Sequence, residues 1–172
     1  VAEFHLLSGA HPTTLESDRM TSHGDHALEV IVAERACERL LYEYARCIDR
    51  GDAADVAALF TDDAVWLADD IDMRGREAIR KAFNARQSVT RRQSRHVITN
   101  VLVDLTSSDE AQAVAYLVNY RHDSTTGTAE HPAPADHPKL VGDYHLEFRH
   151  VDGAWRIASL RFDVAFLRSR RG

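Results

Sequence analysis

The second half of the chain restricts the fold most, because it is a nearly continuous run of long strand-like segments. Alternating or Val- and Tyr-rich patterns, which are typical of β-strands, cover residues 94–105, 110–122, 140–151 and 154–167. Asp152 and Gly153, which separate the last two segments, are a strong signal for a tight hairpin. These segments predict a large sheet built mainly from antiparallel strands.

The first half of the chain has helical periodicity instead. Apolar side chains recur every three to four residues over 28–49, in a stripe that includes Tyr44 and Ile48. The other predicted elements are helices at 53–60 and 76–87, a strand at 64–68 and turns at 61–63 and 69–72. Helices followed by consecutive strands define the α+β class. We therefore expect N-terminal helices packed against a strongly twisted, mainly antiparallel sheet that curls around them and leaves an internal cavity.

Length, charge and cysteine spacing exclude several classes of partner. The chain has 172 residues and a formal net charge of -6, whereas nucleic-acid-binding domains are usually basic. No apolar run approaches the roughly 18 residues of a membrane span, so neither nucleic acid nor membrane is expected as a partner. Cys37 and Cys47 lie about 15 Å apart on one predicted helix, too far for a disulfide. This spacing favours reduced thiols and a cytoplasmic location.

Three segments are expected along the chain, namely a flexible arm or tag at 1–27, a folded domain at 28–167 and a tail at 168–172. The arm is rich in His, Ser and Thr and has no sustained period, so it is left out of the fold prediction. Met20 is a candidate native start, which would make residues 1–19 an added or upstream segment.

Strong catalytic motifs are absent from the sequence. It contains no phosphate-binding glycine loop, CxxC pair, GxSxG elbow or HExxH helix. Histidines in the second half match no compact metal-ligand spacing, and they stand at positions 122, 131, 137, 145 and 150. We therefore expect neither an organic cofactor nor a metal.

Ionisable side chains on predicted inner faces remain as candidates for chemistry. Tyr44 lies inside the helical stripe, where the alternative is a core aromatic whose hydroxyl finds a partner. Asp49 follows at the helix C-terminus, where the helix dipole disfavours a carboxylate. The alternative for Asp49 is a turn-forming residue before Gly51.

Polar residues also interrupt two predicted strands. His96 and Asn100 share one face of the strand at 94–105, and two polar groups on an apolar face suggest a pocket lining. A structural histidine is the alternative for His96. Arg161 interrupts the last strand in the same way, and a buried arginine must be paired. Its alternative is a salt bridge to Asp163, Asp143 or Glu147.

Several short segments resemble the SnoaL-like branch of the nuclear transport factor 2-like superfamily. They are YARCIDRGD at 44–52, LFTDDAVW at 59–66, GREAI at 75–79, RHVITN at 95–100 and DGAWRI at 152–157. The resemblance covers roughly residues 28–167. It implies an α+β cone in which a curved mixed sheet wraps N-terminal helices around a deep apolar pocket.

Within that superfamily, the placement of Tyr44, Asp49 and His96 is similar to that in the scytalone dehydratase and bile-acid dehydratase group. The resemblance implies a His96–Asp49 acid–base pair and a hydrogen-bond donor at Tyr44, without metal or organic cofactor. The expected substrate-binding residues are Arg161, which matches a pocket arginine of the bile-acid enzymes, together with Asn100 and Trp66.

Two functional hypotheses follow from these residues and this resemblance. The first is a cofactor-independent lyase or isomerase, dehydratase-like, that acts on a polycyclic or aromatic-ring small molecule. The second is a non-catalytic ligand-binding or subunit-type module, because the same fold serves as the small subunit of ring-hydroxylating dioxygenases.

An apolar outer sheet face is also predicted, and such faces usually become interfaces. The residues expected there are Val97, Val101, Val103, Ala158, Leu160 and Phe162. A homodimer or a higher homo-oligomer is therefore expected.

Overall fold

The computed structural model describes residues 14–50, 53–135 and 137–169. Its helices are α1 (Thr14–Arg50), α2 (Ala53–Ala58) and α3 (Arg76–Gln87). Its strands are β1 (Phe60–Ala68), β2 (Ile71–Arg74), β3 (Arg92–Leu105), β4 (Glu110–Asp123), β5 (Leu140–Val151) and β6 (Ala154–Leu167). The chain divides into two units, Val1–Val32 and Ala33–Gly172, and the second unit holds the sheet and the site described below.

The second unit is built on a six-stranded sheet in the order β2-β1-β6-β5-β4-β3. Neighbouring strands are antiparallel except β1 and β6, which pair in parallel. The sheet is therefore mixed, and it is curled rather than closed, with β2 and β3 at its edges. The expected α+β class is confirmed. Within the described residues, no helix combines the length and the apolar character needed to cross a membrane.

The predicted bounds of α3, β5 and β6 are confirmed, whereas the predicted start of α1 at residue 28 is wrong. The helix begins at Thr14. A helix that is already nucleated extends at little cost per residue, so its extension needs no apolar stripe. Residues 1–13 and 170–172 lie outside the described residues, so the bounds expected for the arm, the domain and the tail remain predictions.

The turns predicted around β1 are also wrong in part. Residues 61–63 belong to β1, and a side chain of α3 holds the start of this strand. Arg76 donates through Nε and Nη2 to the backbone oxygen of Phe60, at 2.9 and 2.7 Å. The turn predicted at 69–72 is shorter than expected, because β2 already begins at Ile71 and pairs with β1.

A bulge in β3 exchanges the inner and outer faces of that strand. The register with β4 shifts between Thr99 and Leu102, and Asn100 has a φ of 54°. His96 faces inward before the bulge and Val101 faces inward after it, so Asn100 is exposed. The prediction that Asn100 shares the face of His96 is therefore wrong. Asparagine tolerates this left-handed conformation better than most residues, which suits it to the bulge.

A second bulge acts in the same way on β6. The register with β5 shifts between Glu147 and Phe148, which leaves Ala158 as an extra residue in β6. Leu160 is consequently buried in the core and Arg161 is exposed on the outer face. The strict alternation that predicted Arg161 as a pocket residue fails by this one residue.

Aromatic rings surround Tyr44 and attach the C-terminal half of α1 to the sheet. Tyr44 is 1% exposed. Its ring makes edge contacts with the rings of Phe60, Phe83 and Tyr144, at centroid distances of 5.8, 6.1 and 6.2 Å. Edge-to-face packing adds to the free energy of hydrophobic burial, and it holds the Tyr44 hydroxyl in one position.

The outer face of the sheet carries exposed apolar side chains, but most are not the predicted ones. Of the residues expected on this face, only Val97 is exposed. The two bulges turn the other five inward, and these are Val101, Val103, Ala158, Leu160 and Phe162. The exposed apolar residues on β3 and β4 are Val97, Leu102, Val114, Tyr116 and Tyr120.

We expect Gly142→Ala to lower the free energy of unfolding by about 2–4 kcal/mol. A Cβ at Gly142, in β5, would overlap the backbone oxygen of Asp163 and approach the Phe162 ring to 2.8 Å. A backbone atom in a paired strand cannot move away as the end of a flexible side chain can. Urea unfolding followed by circular dichroism measures the change.

Gly24→Ala is the matched control for this substitution. Nothing lies within 4 Å of a Cβ at Gly24, and alanine is the better helix former, so this variant should be neutral or slightly stabilised. Equal stability of the two variants would contradict the close packing of β5 on β6.

Candidate active site

A cavity of about 470 Å³ lies on the inner side of the sheet, against α1 and α3. This volume is within the usual range for small-molecule sites. The wall is mainly apolar and aromatic, and these residues are Ile48, Trp66, Met73, Phe83, Leu117, Tyr144, Phe162 and Val164. The cavity is therefore suited to a ring compound.

Asp49 and His96 are hydrogen-bonded at the wall of this cavity. His96 Nδ1 lies 2.7 Å from Asp49 Oδ1, and the two side chains are only 11% and 7% exposed. The backbone N–H of His96 donates to Asp49 Oδ2 at 2.7 Å, and Ser94 Oγ donates to Oδ1 at 2.9 Å. These donors stabilise a carboxylate at the C-terminus of α1, where the helix dipole alone would disfavour it.

The charge of Asp49 determines which ring nitrogen of His96 donates to it. Burial raises the pKa of the Asp49 carboxyl, but the hydrogen bonds and the charge of His96 outweigh burial and hold this pKa below its ordinary value. Asp49 is therefore ionised at neutral pH and only accepts hydrogen bonds. The shared proton then sits on Nδ1, so the unprotonated nitrogen in the neutral form of the ring is Nε2.

The second ring nitrogen of His96 is available to a bound molecule. The ring lines the cavity, and no described residue is hydrogen-bonded to Nε2. Nε2 is therefore positioned to exchange a proton with a ligand, while Asp49 holds the opposite side of the ring.

Trp66 orients the hydroxyl of Tyr44. The indole Nε1 of Trp66 donates to Tyr44 Oη at 2.7 Å. Because an indole N–H cannot accept, the tyrosine oxygen is the acceptor, and its own proton is available to another group. Burial raises the pKa of Tyr44 well above its ordinary value, and burial does the same for Tyr144. Both hydroxyls therefore remain protonated donors at neutral pH.

Sequence reasoning missed Arg86 and Ser94, which extend the hydrogen-bond network behind His96. Arg86, in the last turn of α3, donates through Nη2 to Ser94 Oγ at 2.9 Å, and Ser94 donates onward to Asp49. Ser94 is 6% exposed. Its position two residues before His96 on β3 was a usable signal, whereas no helical pattern distinguishes Arg86 from the other arginines of α3.

Asn119 was missed as well. It is 3% exposed, lines the cavity and pairs with His96 across β3 and β4. The strict alternation along β4 places it on the buried face, so strand periodicity contained the signal for this residue.

The structure brings together four of the six predicted site residues. Tyr44, Trp66 and His96 line the cavity, and Asp49 lies directly behind His96. Their placement agrees with the sequence prediction, and the catalytic roles assigned to them remain proposals.

The other two predicted residues lie elsewhere. Asn100 is exposed at the bulge in β3, where its Oδ1 accepts from Thr99 Oγ1 at 2.9 Å. Arg161 Nη2 pairs with Asp163 Oδ2 at 3.1 Å on the outer face of the sheet. The salt-bridge interpretation of Arg161 is therefore correct, and Arg161 does not line the cavity that His96 lines.

The histidines and cysteines elsewhere in the described residues are dispersed. No group of three or more His, Cys, Asp or Glu among those residues is arranged to hold a metal ion. Cys37 and Cys47 are free thiols. His150 packs on the Trp155 ring, with centroids 5.3 Å apart.

Comparison with known families agrees with this fold and site. A family model described as the SnoaL-like domain matches residues 29–161, and the chain belongs to this family. The small oxygenase component of the p-cumate 2,3-dioxygenase system of Pseudomonas putida is 24% identical over 168 residues. That alignment covers 86% of this chain and 87% of the relative.

Solved structures share the fold at low sequence identity. A candidate scytalone dehydratase from Novosphingobium aromaticivorans superposes with a TM-score of 0.69 at 23% identity, over 83% of this chain and 90% of that chain. The hexachlorocyclohexane dehydrochlorinase LinA-type3 from Novosphingobium barchaimii gives a TM-score of 0.68 at 18% identity, over 85% and 95% of the two chains. The fold is thus related to dehydratase-type proteins and to a dioxygenase component.

We expect Asp49→Asn to flatten the acid side of the stability profile. The pKa of Asp49 is lower in the folded chain than the ordinary value of 3.8. Its ionised form therefore stabilises the fold above about pH 4, and this stabilisation is lost as the pH falls through the folded-state pKa. Urea unfolding between about pH 2.5 and 7 should show a steeper acid loss in the wild type than in Asp49→Asn.

Asp70→Asn is the control, because Asp70 is an exposed carboxylate in the turn between β1 and β2. This variant should keep the wild-type slope. Equal slopes for the wild type and Asp49→Asn would show that the three hydrogen bonds to Asp49 do not stabilise its ionised form.

Proposed function

We propose that the protein is a cofactor-independent lyase or isomerase of the dehydratase type that acts on a cyclic or aromatic-ring small molecule. The observation that carries this proposal is the 2.7 Å contact between His96 Nδ1 and Asp49 Oδ1 beside an apolar cavity. An imidazole oriented by a buried carboxylate, with its second nitrogen toward a cavity, is the arrangement of an acid–base catalyst.

His96 is the proposed acid–base group. Nε2 takes a proton from the carbon next to a substrate carbonyl, and the electron pair of the broken C–H bond forms the new C=C bond. The imidazolium then gives its proton to the leaving hydroxyl as the C–O bond breaks, and water departs. In an isomerisation the same proton returns to a different carbon. Asp49 stabilises the imidazolium that exists between the two transfers.

Tyr44 is the proposed donor to the carbonyl oxygen. Negative charge develops on that oxygen as the proton leaves carbon, and a preorganised hydroxyl stabilises it. Because Trp66 Nε1 already donates to Tyr44 Oη, the hydroxyl proton can point toward the substrate. The aromatic wall around Tyr44 excludes water, which strengthens this hydrogen bond.

A second candidate function is a non-catalytic, subunit-type module. The Pseudomonas putida relative, which is the small oxygenase component of a dioxygenase system, favours it. In such a module the contact between Asp49 and His96 would only join α1 to β3. The two functions differ in whether a chemical step depends on His96.

We expect His96→Ala to abolish turnover, and Asp49→Asn to reduce kcat by about 10³- to 10⁴-fold, because an amide does not stabilise the imidazolium. Tyr44→Phe should reduce kcat by about 10²-fold if its hydroxyl donates to the carbonyl. The assay is a panel of cyclic β-hydroxyketones and β,γ-unsaturated ketones, followed by the absorbance of the conjugated enone that forms.

His145→Ala is the matched control for these variants. His145 also contacts an aspartate, with its Nε2 3.2 Å from Asp163 Oδ2, but this pair lies on the outer face. The control should keep the wild-type rate. Turnover that survives His96→Ala would contradict the proposed mechanism, and a wild-type protein that converts no member of the panel would favour the subunit-type module.

A homodimer or higher homo-oligomer is proposed through the exposed apolar residues of β3 and β4. Light scattering should give at least twice the 19.3 kDa mass of the chain. Tyr116→Lys, in the middle of this face, should shift the protein toward monomer, because a desolvated charge opposes an apolar contact. A wild-type monomer at micromolar concentration would contradict the proposal.

A further inference from the structure

Four cations line the cavity, and the proposed acid–base step uses none of them. They are Arg86 at the end of α3, Arg92 at the start of β3, Arg121 on β4 and Lys139 just before β5. Cations this close together in a partly buried site repel one another unless anions neutralise them.

Within the described residues, Arg86 forms a hydrogen bond but no ion pair. Its guanidinium donates through Nη2 to Ser94 Oγ. Burial lowers the pKa of Arg86, and the nearby charges of Arg92 and Arg121 lower it further, whereas the charge of Asp49 opposes this shift without reversing it. A guanidinium carries five N–H donors, so most of them remain available to a ligand.

The carboxylates beside these arginines already have hydrogen-bond partners. Arg92 Nε and Arg121 Nε both donate to Asp123, at 2.8 and 3.0 Å, so two guanidinium groups share one carboxylate. Asp49 accepts hydrogen bonds from Ser94 and from His96. No guanidinium group among the described residues is hydrogen-bonded to it directly. This part of the wall therefore keeps an excess of positive charge.

Two further acidic residues also line the cavity. Asp69 and Asp70 are exposed in the turn between β1 and β2. Solvent screens their charges more strongly than those of the half-buried arginines.

We propose that this wall binds the carboxylate of a cyclic or aromatic acid, with Arg86 as its main partner and the ring against the apolar side of the cavity. Guanidinium and carboxylate groups form paired hydrogen bonds with matching geometry. Ser94 joins Arg86 to Asp49, so the anion subsite and His96 belong to one network. The inference rests on the proposed function for its chemistry, and it adds that the substrate is an acid.

The test compares two probes of the same shape and different charge. Isothermal titration calorimetry with 2-naphthoate and 2-naphthamide should show that the wild type binds the carboxylate about 10- to 100-fold more tightly. Arg86→Gln should remove most of this preference, with the loss falling on the carboxylate affinity, because Arg86 is its main partner. Arg86→Lys keeps the charge without the planar fork, and it should keep part of the preference.

Arg161→Gln is the matched control, because Arg161 lies on the outer face of the sheet. It should bind both probes like the wild type. Equal wild-type affinity for the two probes, binding of neither probe, or an unchanged preference in a folded Arg86→Gln variant would overturn the inference. The readout is affinity without turnover, so a protein that prefers 2-naphthoate but converts no ketone would retain the anion subsite and lose the proposed reaction.

Discussion

The hydrogen bonds of a single carboxylate hold the helical and the strand parts of the second unit in register. Asp49 stands one residue before the end of α1, and its donors come from Ser94 and His96 near the start of β3. Removing a carboxylate from water is unfavourable, and only a nearly complete set of donors offsets that desolvation. The contact that holds α1 against β3 therefore also orients the His96 ring. A change that moves α1 relative to β3 would also move His96.

Elements whose two faces differ clearly were predictable from the sequence. The periods of α3, β5 and β6 define their bounds, and the stripe on α1 correctly places Tyr44 inside. His96 is predictable for the same reason, because it lies before the irregular part of β3. In α1 and in the first part of β3, a period of 3.6 or 2 residues determines which side chains face the core.

Residues whose position depends on an irregularity or on another element were not predictable in this way. Asn100 and Ala158 are the extra residues of the two bulges. Neither residue type is specific enough for bulges to predict a break in the alternation of a strand. Arg86 reaches the site only because the end of α3 lies beside β3. This contact belongs to the tertiary structure, and the sequence of a helix with several arginines does not predict which of them makes it.

The bulges have a consequence for how chains of this family diverge. Ala158 is the extra residue of β6, so deletion of its codon would remove the bulge and still leave Leu160 inward and Arg161 outward. The same holds in β3 for Asn100. A strand that lost the bulge but kept its length would instead exchange its two faces. A single codon gained or lost at a bulge can therefore leave the cavity wall unchanged in relatives whose strands differ in length. Alignments of distant relatives must place the gap at these positions before any residue can be compared with those facing His96.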